Sequence, residues 1–248
     1  MLVKALGTPT ITPNSHTLVQ ILDHAVPAMP PGSVLAITSK IVSLCEGSVV
    51  PVKGTDKRRL VQAESNYFLP STASKWGIQF TITNDTLIPN AGIDESNVGN
   101  VYALWPKDAQ ATANSVRAYL AKRFGHKELA VIITDSTCRP MRLGVSGIAM
   151  AFSGIKPLRD YVGQPDLFDR PFKVAQADIV GGLASTAVLV MGEGNESTPL
   201  AMMSDVSFAD FVDRNPTSEE LASLMIDRDE DLFGPFLNSV SWQKGGRG

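Results

Sequence analysis

Cysteine is scarce in this chain: Cys45 and Cys138 are the only two among 248 residues. Two thiols cannot build a disulfide framework, and their separation matches no metal-ligand spacing, so both read as free thiols of a reducing compartment. Histidine is almost as sparse. His16, His24 and His126 fall on predicted helices or their ends, and they read as surface or structural residues. Long hydrophobic runs are missing too. Stretches such as residues 187–191 fall far short of the ~20 apolar residues a membrane helix needs, and no basic stretch leads into an apolar one at the N-terminus. A cytoplasmic protein is the expectation. Charge is nearly balanced, 22 basic residues against 25 acidic ones, which leaves no footprint for nucleic acid or an anionic membrane. Walker-A, HExxH and CxxC patterns are absent, and Gly-Val-Ser-Gly at 144–147 lacks the spacing of a nucleophile elbow. Gly-Glu-Gly-Asn-Glu-Ser at 192–197 follows a predicted helix, whereas a dinucleotide fingerprint follows a strand, so the Rossmann reading falls.

What is present is material for a core, since 44% of the residues are hydrophobic. A mixed α/β fold is the expectation, as one large domain over 1–248 or as two interleaved lobes, with a flexible Gly-rich tail at 244–248. Residues 17–26 read as a short amphipathic helix, ended by Pro-Pro-Gly at 30–32 before a strand at 34–37. Asp108 is a good N-cap for a helix over 109–124, and Gly125 a good stop. The β-branched run 129–134 predicts a strand buried on both faces that delivers Asp135 and Ser136 at its end. Residues 144–172 suggest short strands and turns. Helical periodicity returns over 175–191, and a capping box at Thr217 predicts a helix over 218–232.

Four constellations could carry chemistry. In the first, Pro89, Asn90 and Gly92 favour a tight turn just before Asp94, Glu95, Ser96 and Asn97, which concentrates oxygen ligands of the kind magnesium prefers. The same stretch also reads as an Asx-turn and cap. In the second, the strand end Thr134-Asp-Ser is followed by Arg139 and Arg142, forked donors suited to phosphate or carboxylate; taken singly they read as surface ion pairs. The third is the charged, aromatic stretch 157–170, either a substrate-lining loop or a folded loop held by Arg159 with Asp160 or Asp166. The fourth is Lys40, a cation at a strand end.

Ser39-Lys-Ile-Val-Ser with Glu46-Gly, Ile88-Pro-Asn-Ala-Gly-Ile-Asp-Glu-Ser-Asn, Thr134-Asp-Ser with Arg139-Pro and Arg142, Pro157-Leu-Arg-Asp-Tyr, and Leu189-Val-Met-Gly-Glu occur in this order. Together they resemble the coenzyme F420-0:L-glutamate ligase family across nearly the whole chain. The resemblance implies an intertwined homodimer and an amide ligase that joins L-glutamate to an acceptor carboxylate. It also implies GTP as co-substrate, two magnesium or manganese ions, and potassium as a further cation. Asp94 and Asp135 would hold one metal, with Ser136 and Glu193 helping to hold the other. The nucleotide would touch Thr8, Pro9, Thr10, Ile11, Ser39, Lys40, Asn97 and the loop of Met191, Gly192, Glu193, Gly194, Asn195, Glu196, Ser197 and Thr198. Arg139 or Arg142 would steady the transferring phosphate or the acceptor. Leu44 stands where many relatives carry lysine, Met141 where tryptophan is frequent, and Tyr161-Val-Gly where Tyr-Arg-Gly is common. The metal centre thus looks retained and the acceptor pocket altered. F420-0 is the default acceptor; a folate-type pterin glutamate chain is the substitute. A nucleotide- and metal-binding protein without ligase activity is the reading from a different class.

Overall fold

The structure, a computed structural model, describes residues 1–70 and 74–248. The first half runs β1 (Leu2–Leu6), α1 (Leu18–Ala25), β2 (Ser33–Thr38), α2 (Ser39–Glu46), β3 (Val49–Pro51), α3 (Lys57–Glu64), β4 (Tyr67–Phe68), β5 (Phe80–Thr83), β6 (Thr86–Pro89) and β7 (Val101–Ala103). The second runs α4 (Ala109–Phe124), β8 (Leu129–Cys138), β9 (Val145–Ser153), β10 (Leu158–Asp160), β11 (Gln176–Asp178), α5 (Ile179–Met191), β12 (Leu200–Ser204), α6 (Ser218–Ala222), α7 (Gly234–Leu237) and β13 (Gln243–Lys244). The mixed α/β expectation holds. Among the described residues no helix is long and apolar enough to cross a membrane.

The main sheet has the order β1-β12-β2-β8-β9. Its centre is the parallel pair β2 and β8, in register from Ser33 opposite Leu129 to Thr38 opposite Thr134, and the remaining pairings are antiparallel. The continuous apolar runs of these two strands follow from burial on both faces. Leu35, Ile37, Val131 and Ile133 pack under α1, α2 and α4, while Val34, Ala36, Ala130 and Ile132 pack against α5. A smaller sheet, β13-β4-β5-β6, and the pair β3-β7 carry the segment that leads into residues 94–99.

Helix α4 occupies the expected residues, capped by Asp108, whose carboxylate accepts from Ala111 N at 2.8 Å, and ended by Gly125 at φ 72°. Helix α1 starts from a Thr17–Gln20 capping box. Five expectations need correction. Strand β8 continues past Thr134 to Cys138, because β9 pairs with it along its length, with an irregularity between Ile133 and Thr134. The stretch 144–172 therefore contains a nine-residue strand rather than only short pieces. The helix expected from 175 begins at Ile179, since residues 176–178 pair with β10 and Asp178 caps Gly181. The capping box at Thr217 is formed, but α6 stops at Ala222. Asp227 accepts from Asp229 N and Asp231 from Phe233 N, local bonds that compete with a continuous helix. Residues 245–248, expected to fray, are hydrogen-bonded to Asn66, Gln62 and Ser65, and Arg247 pairs with Glu64.

Gly147 on β9 lets α5 come into contact with the sheet: a Cβ there would stand 2.4 Å from Ala184 O and 2.7 Å from Val188 Cγ2. Ser185 Oγ donates to Gly147 O at 2.7 Å across the same contact. Gly147→Ala is expected to push α5 outward and destabilise the protein by about 1–3 kcal/mol, read as a lowered midpoint in urea unfolding.

Candidate functional site

Strand direction decides where the cleft lies. At one edge of the main sheet β2 ends at Thr38, and β8 leaves its register with β2 at Thr134. Antiparallel β12 begins at that edge, with Leu200 opposite Ile37, and β1 ends there, with Leu6 opposite Leu200. The segments that follow or precede these ends, residues 7–12, 38–41, 134–136 and 191–199, are thereby gathered at one place, as ligand sites are at the carboxyl ends of parallel strands. Thr8 N donates to Ser197 O and Thr38 N to Pro199 O, each at 3.0 Å, tying three of them together. Residues 94–99 complete the wall, with Asn97 Nδ2 donating to Gly194 O at 2.8 Å. The cleft holds about 520 Å³.

Four carboxylates, of Asp94, Asp135, Glu193 and Glu196, line it against one ammonium, that of Lys40. Lys40 Nζ lies 2.6 Å from Asp94 Oδ2 and donates to Ser96 O and Ser96 Oγ at 3.1 and 3.3 Å. Asp94 Oδ1 accepts from Ser96 N at 3.0 Å and Ser96 Oγ at 2.8 Å. Burial works against the Asp94 carboxylate, but the bonds and charge of Lys40, with those from Ser96, outweigh it and hold the carboxyl below its usual range. Asp135 differs. Burial pushes its carboxyl up to about 6; the bond from Trp105 and that from Ser136 N oppose the rise, and the charge of Asp94 adds to it. Trp105 Nε1 donates to Asp135 Oδ2 at 2.5 Å. The Glu193 carboxyl is also raised, chiefly by burial, with Lys40 and the Ser136 hydroxyl acting the other way.

The indole of Trp105 is set by Gly92, which adopts φ +69° and whose missing Cβ would stand 2.0 Å from Trp105 Nε1. The tight turn expected before the acidic motif is a 3-10 turn at Asn90–Gly92, and Asp94 bridges to Ala103 directly behind it. One short segment therefore presents Asp94 to the cleft and backs the indole that holds Asp135.

As they lie, no three Asp, Glu, His or Cys side chains among the described residues stand close enough to ligate one cation together. Asp94 is instead paired with the Lys40 ammonium. The donor chemistry fits a hard cation all the same: Asp94, Asp135, Ser136 and Glu193 offer only oxygens, and the Asp94 charge already acts on both other carboxyls.

Thr8, Pro9, Thr10, Ile11, Lys40, Asp94, Asn97, Asp135, Ser136 and residues 191–198 all line the cleft. Ser39 does not; it is buried as the first residue of α2. Arg139 and Arg142 are also absent from its walls. They sit on the exposed turn between β8 and β9, where Arg139 Nε donates to Ser146 Oγ and Arg142 to Met141 O. The stretch 157–170 is a folded loop about the β10-β11 pair. Asp160 accepts from Val162 N and Asp166 from Phe168 N and Arg170 N, so Arg170 takes the part expected of Arg159. Leu44 is fully buried and lines the cleft. Sequence reading missed Trp105, which stands behind Asp135, and Thr12, Thr38, Ile41, Val98, Gly99, Val188 and Pro199 of the lining. No motif marks Trp105; its only signal is the neighbouring pair of turn glycine and strand end, which must be seen folded.

Residues 6–205 match the model of the F420-0:gamma-glutamyl ligase family. A protein from Methanocaldococcus jannaschii called coenzyme F420:L-glutamate ligase is 31% identical over 192 residues, covering 69% of this chain and 75% of its own length. A protein of the same name from Methanococcus maripaludis is 34% identical over 190 residues, covering 76% of this chain and 69% of its own. Another, from Haloarcula marismortui, is 40% identical over 122 residues, covering 49% of this chain and 47% of its own.

Asp135 has an ordinary value of 3.8 and a folded value of about 6, so the native state holds its proton more firmly than the unfolded chain. The stability this supplies is complete below pH 3.8 and is lost as the pH rises through about 6. Asp135→Asn, which keeps an acceptor for Trp105, should therefore gain roughly 2–3 kcal/mol on wild type between about pH 4 and pH 8. Urea unfolding of the metal- and nucleotide-free proteins at the two pH values measures it.

Proposed function

Because this chain belongs to the F420-0:gamma-glutamyl ligase family, we propose that it joins L-glutamate to an acceptor carboxylate, F420-0 by default, with GTP and divalent cations. The observation that carries the cation requirement is electrostatic. A cleft with four carboxylates and one lysine repels a triphosphate, and positive charge must be brought in before it can hold one. Asp94 and Asp135 would hold one magnesium or manganese ion, and Ser136 with Glu193 would help hold a second. Divalent cations there would screen the triphosphate and polarise the phosphoryl group in transfer.

The chain's own groups then divide the remaining work. Residues 8–11 and 191–198 face each other across the Thr8–Ser197 hydrogen bond and would enclose the nucleotide. Lys40, at the start of α2, would turn its ammonium to the phosphates, and Asn97 would keep the 94–99 segment closed on Gly194. The acceptor carboxylate oxygen attacks the γ-phosphorus, and the bond to the bridging oxygen breaks, leaving GDP and an acyl phosphate. The amine of glutamate then attacks the acyl carbon, loses a proton, and expels inorganic phosphate as the amide forms.

Arg139 and Arg142 lie outside the cleft of their own chain, and a role at phosphate or acceptor is readily supplied from a second protomer. The same hairpin exposes Met141 at 96% and Leu143 at 102%, and Leu167 at 98% and Leu189 at 82% are similarly bare, which supports an apolar contact between copies. We take the active form to be a homodimer in which this hairpin reaches the partner's cleft.

Mass spectrometry of a reaction with GTP, magnesium or manganese, glutamate and either F420-0 or a reduced folate tests the ligase reading. A product heavier by one glutamyl residue is expected, and its loss in Asp135→Ala. A product with folate alone makes the pterin chain the acceptor, and nucleotide binding without product from either overturns the ligase reading. The dimer is tested by mixing inactive Asp135→Ala with inactive Arg139→Ala/Arg142→Ala: shared sites restore activity in mixed dimers, and sites complete within one chain do not.

A further inference from the structure

Lys40 and Asp94 are bound chiefly to each other and to Ser96. An ammonium has three donors; those of Lys40 are taken by Asp94 Oδ2 at 2.6 Å, Ser96 O at 3.1 Å and Ser96 Oγ at 3.3 Å. Both Asp94 oxygens are taken as well, Oδ2 by Lys40 and Oδ1 by Ser96 N and Oγ. The pair spans two elements that give it little room to drift. Lys40 is the second residue of α2, at the end of a buried strand, and Asp94 is tied at both N and O to Ala103. Of the described residues lining the cleft, Lys40 is the one cation, and it stands over the carboxylate that a metal would need.

We propose that Lys40 is a latch on the cation site: in the nucleotide-free protein its ammonium fills the place of the metal at Asp94, and it leaves only when phosphates arrive to receive it. The inference rests on the reading of Asp94 as a metal ligand in the proposed function. Its consequence is an order of binding. A divalent cation alone must displace an ammonium whose three donors are all engaged, and nucleotide alone meets a cleft of carboxylates in which Lys40, the one cation among the described lining residues, is already paired. Metal and nucleotide together relieve both, since the metal takes Asp94 as the phosphates take Lys40. The cation-competent form is a minor one without nucleotide, so affinity for the metal is reduced by the fraction in which Asp94 is released.

Mn2+ titration followed by the electron paramagnetic resonance of the free ion tests this on the nucleotide-free protein and again with GDP, which permits no turnover. Without GDP, Lys40→Met is expected to bind Mn2+ at least about tenfold more tightly than wild type, and Lys40→Arg as weakly as wild type. Lys57→Met controls for charge at a distance, since the Lys57 ammonium lies 2.8 Å from Glu95, next to Asp94; a change of less than about threefold is expected. With GDP the gap between wild type and Lys40→Met should narrow. Lys40→Gln replaces Lys40→Met should the latter not fold. Equal Mn2+ affinity in wild type and Lys40→Met, or an equal gain in Lys57→Met, overturns the latch while leaving the metal site standing. No Mn2+ bound by any of the proteins, with GDP present, overturns the metal reading and the latch with it.

Discussion

The parallel pairing of β2 with β8 is the constraint on which the site depends. Six consecutive partners, from Ser33 and Leu129 to Thr38 and Thr134, hold two buried strands side by side with their carboxyl ends level. Their side chains from 34 to 37 and from 129 to 133 are wholly buried, so the register cannot slip without turning two cores inside out. Lys40 and Asp135 emerge two residues and one residue beyond that level. The antiparallel strands β12 and β1 on the other side of β2 must start and end at the same edge, which brings their flanking segments to the same cleft.

The charge distribution there runs against stability. A half-buried carboxylate whose burial raises its pKa, as at Asp135, destabilises a folded chain unless donors or countercharge compensate. Trp105 and the Ser136 amide compensate in part. A structural protein would have little reason to keep such a group, and the raised Glu193 beside it repeats the pattern. Lys40 satisfies Asp94 and leaves the other two acids short of positive charge, which is the state of a site arranged around ligands that carry that charge in.

The sequence announced the parts with local causes. Asp108 and Gly125 bracket α4 through cap geometry that needs only neighbours, and the apolar runs of β2 and β8 reflect burial on both faces. Most of the residues that the short motifs single out line one cleft. What stayed hidden was set by distant partners. Strand β9 is masked by Gly147 and small residues whose reason is the approach of α5. The tail looks floppy until Asn66 and Gln62 are seen to receive it. Arg139 and Arg142 follow the Thr-Asp-Ser motif closely in sequence, yet β8 keeps going and carries them out of the cleft, a consequence of pairing that no motif spacing reveals.

The packing of Gly92 against Trp105 gives the site an optical property. The chain has three tryptophans. Trp76 is 74% exposed and Trp105 only 5%, with its indole nitrogen bonded to Asp135. A shielded indole emits toward the blue and a wet one toward the red; Trp242 is half-buried, so the bluest emission belongs to Trp105. Because the Trp105 donor ends on a carboxylate of the cleft, whatever that carboxylate binds alters the electronic surroundings of the ring. The protein thus carries an intrinsic fluorophore at its own centre, placed there by a glycine too small to displace it.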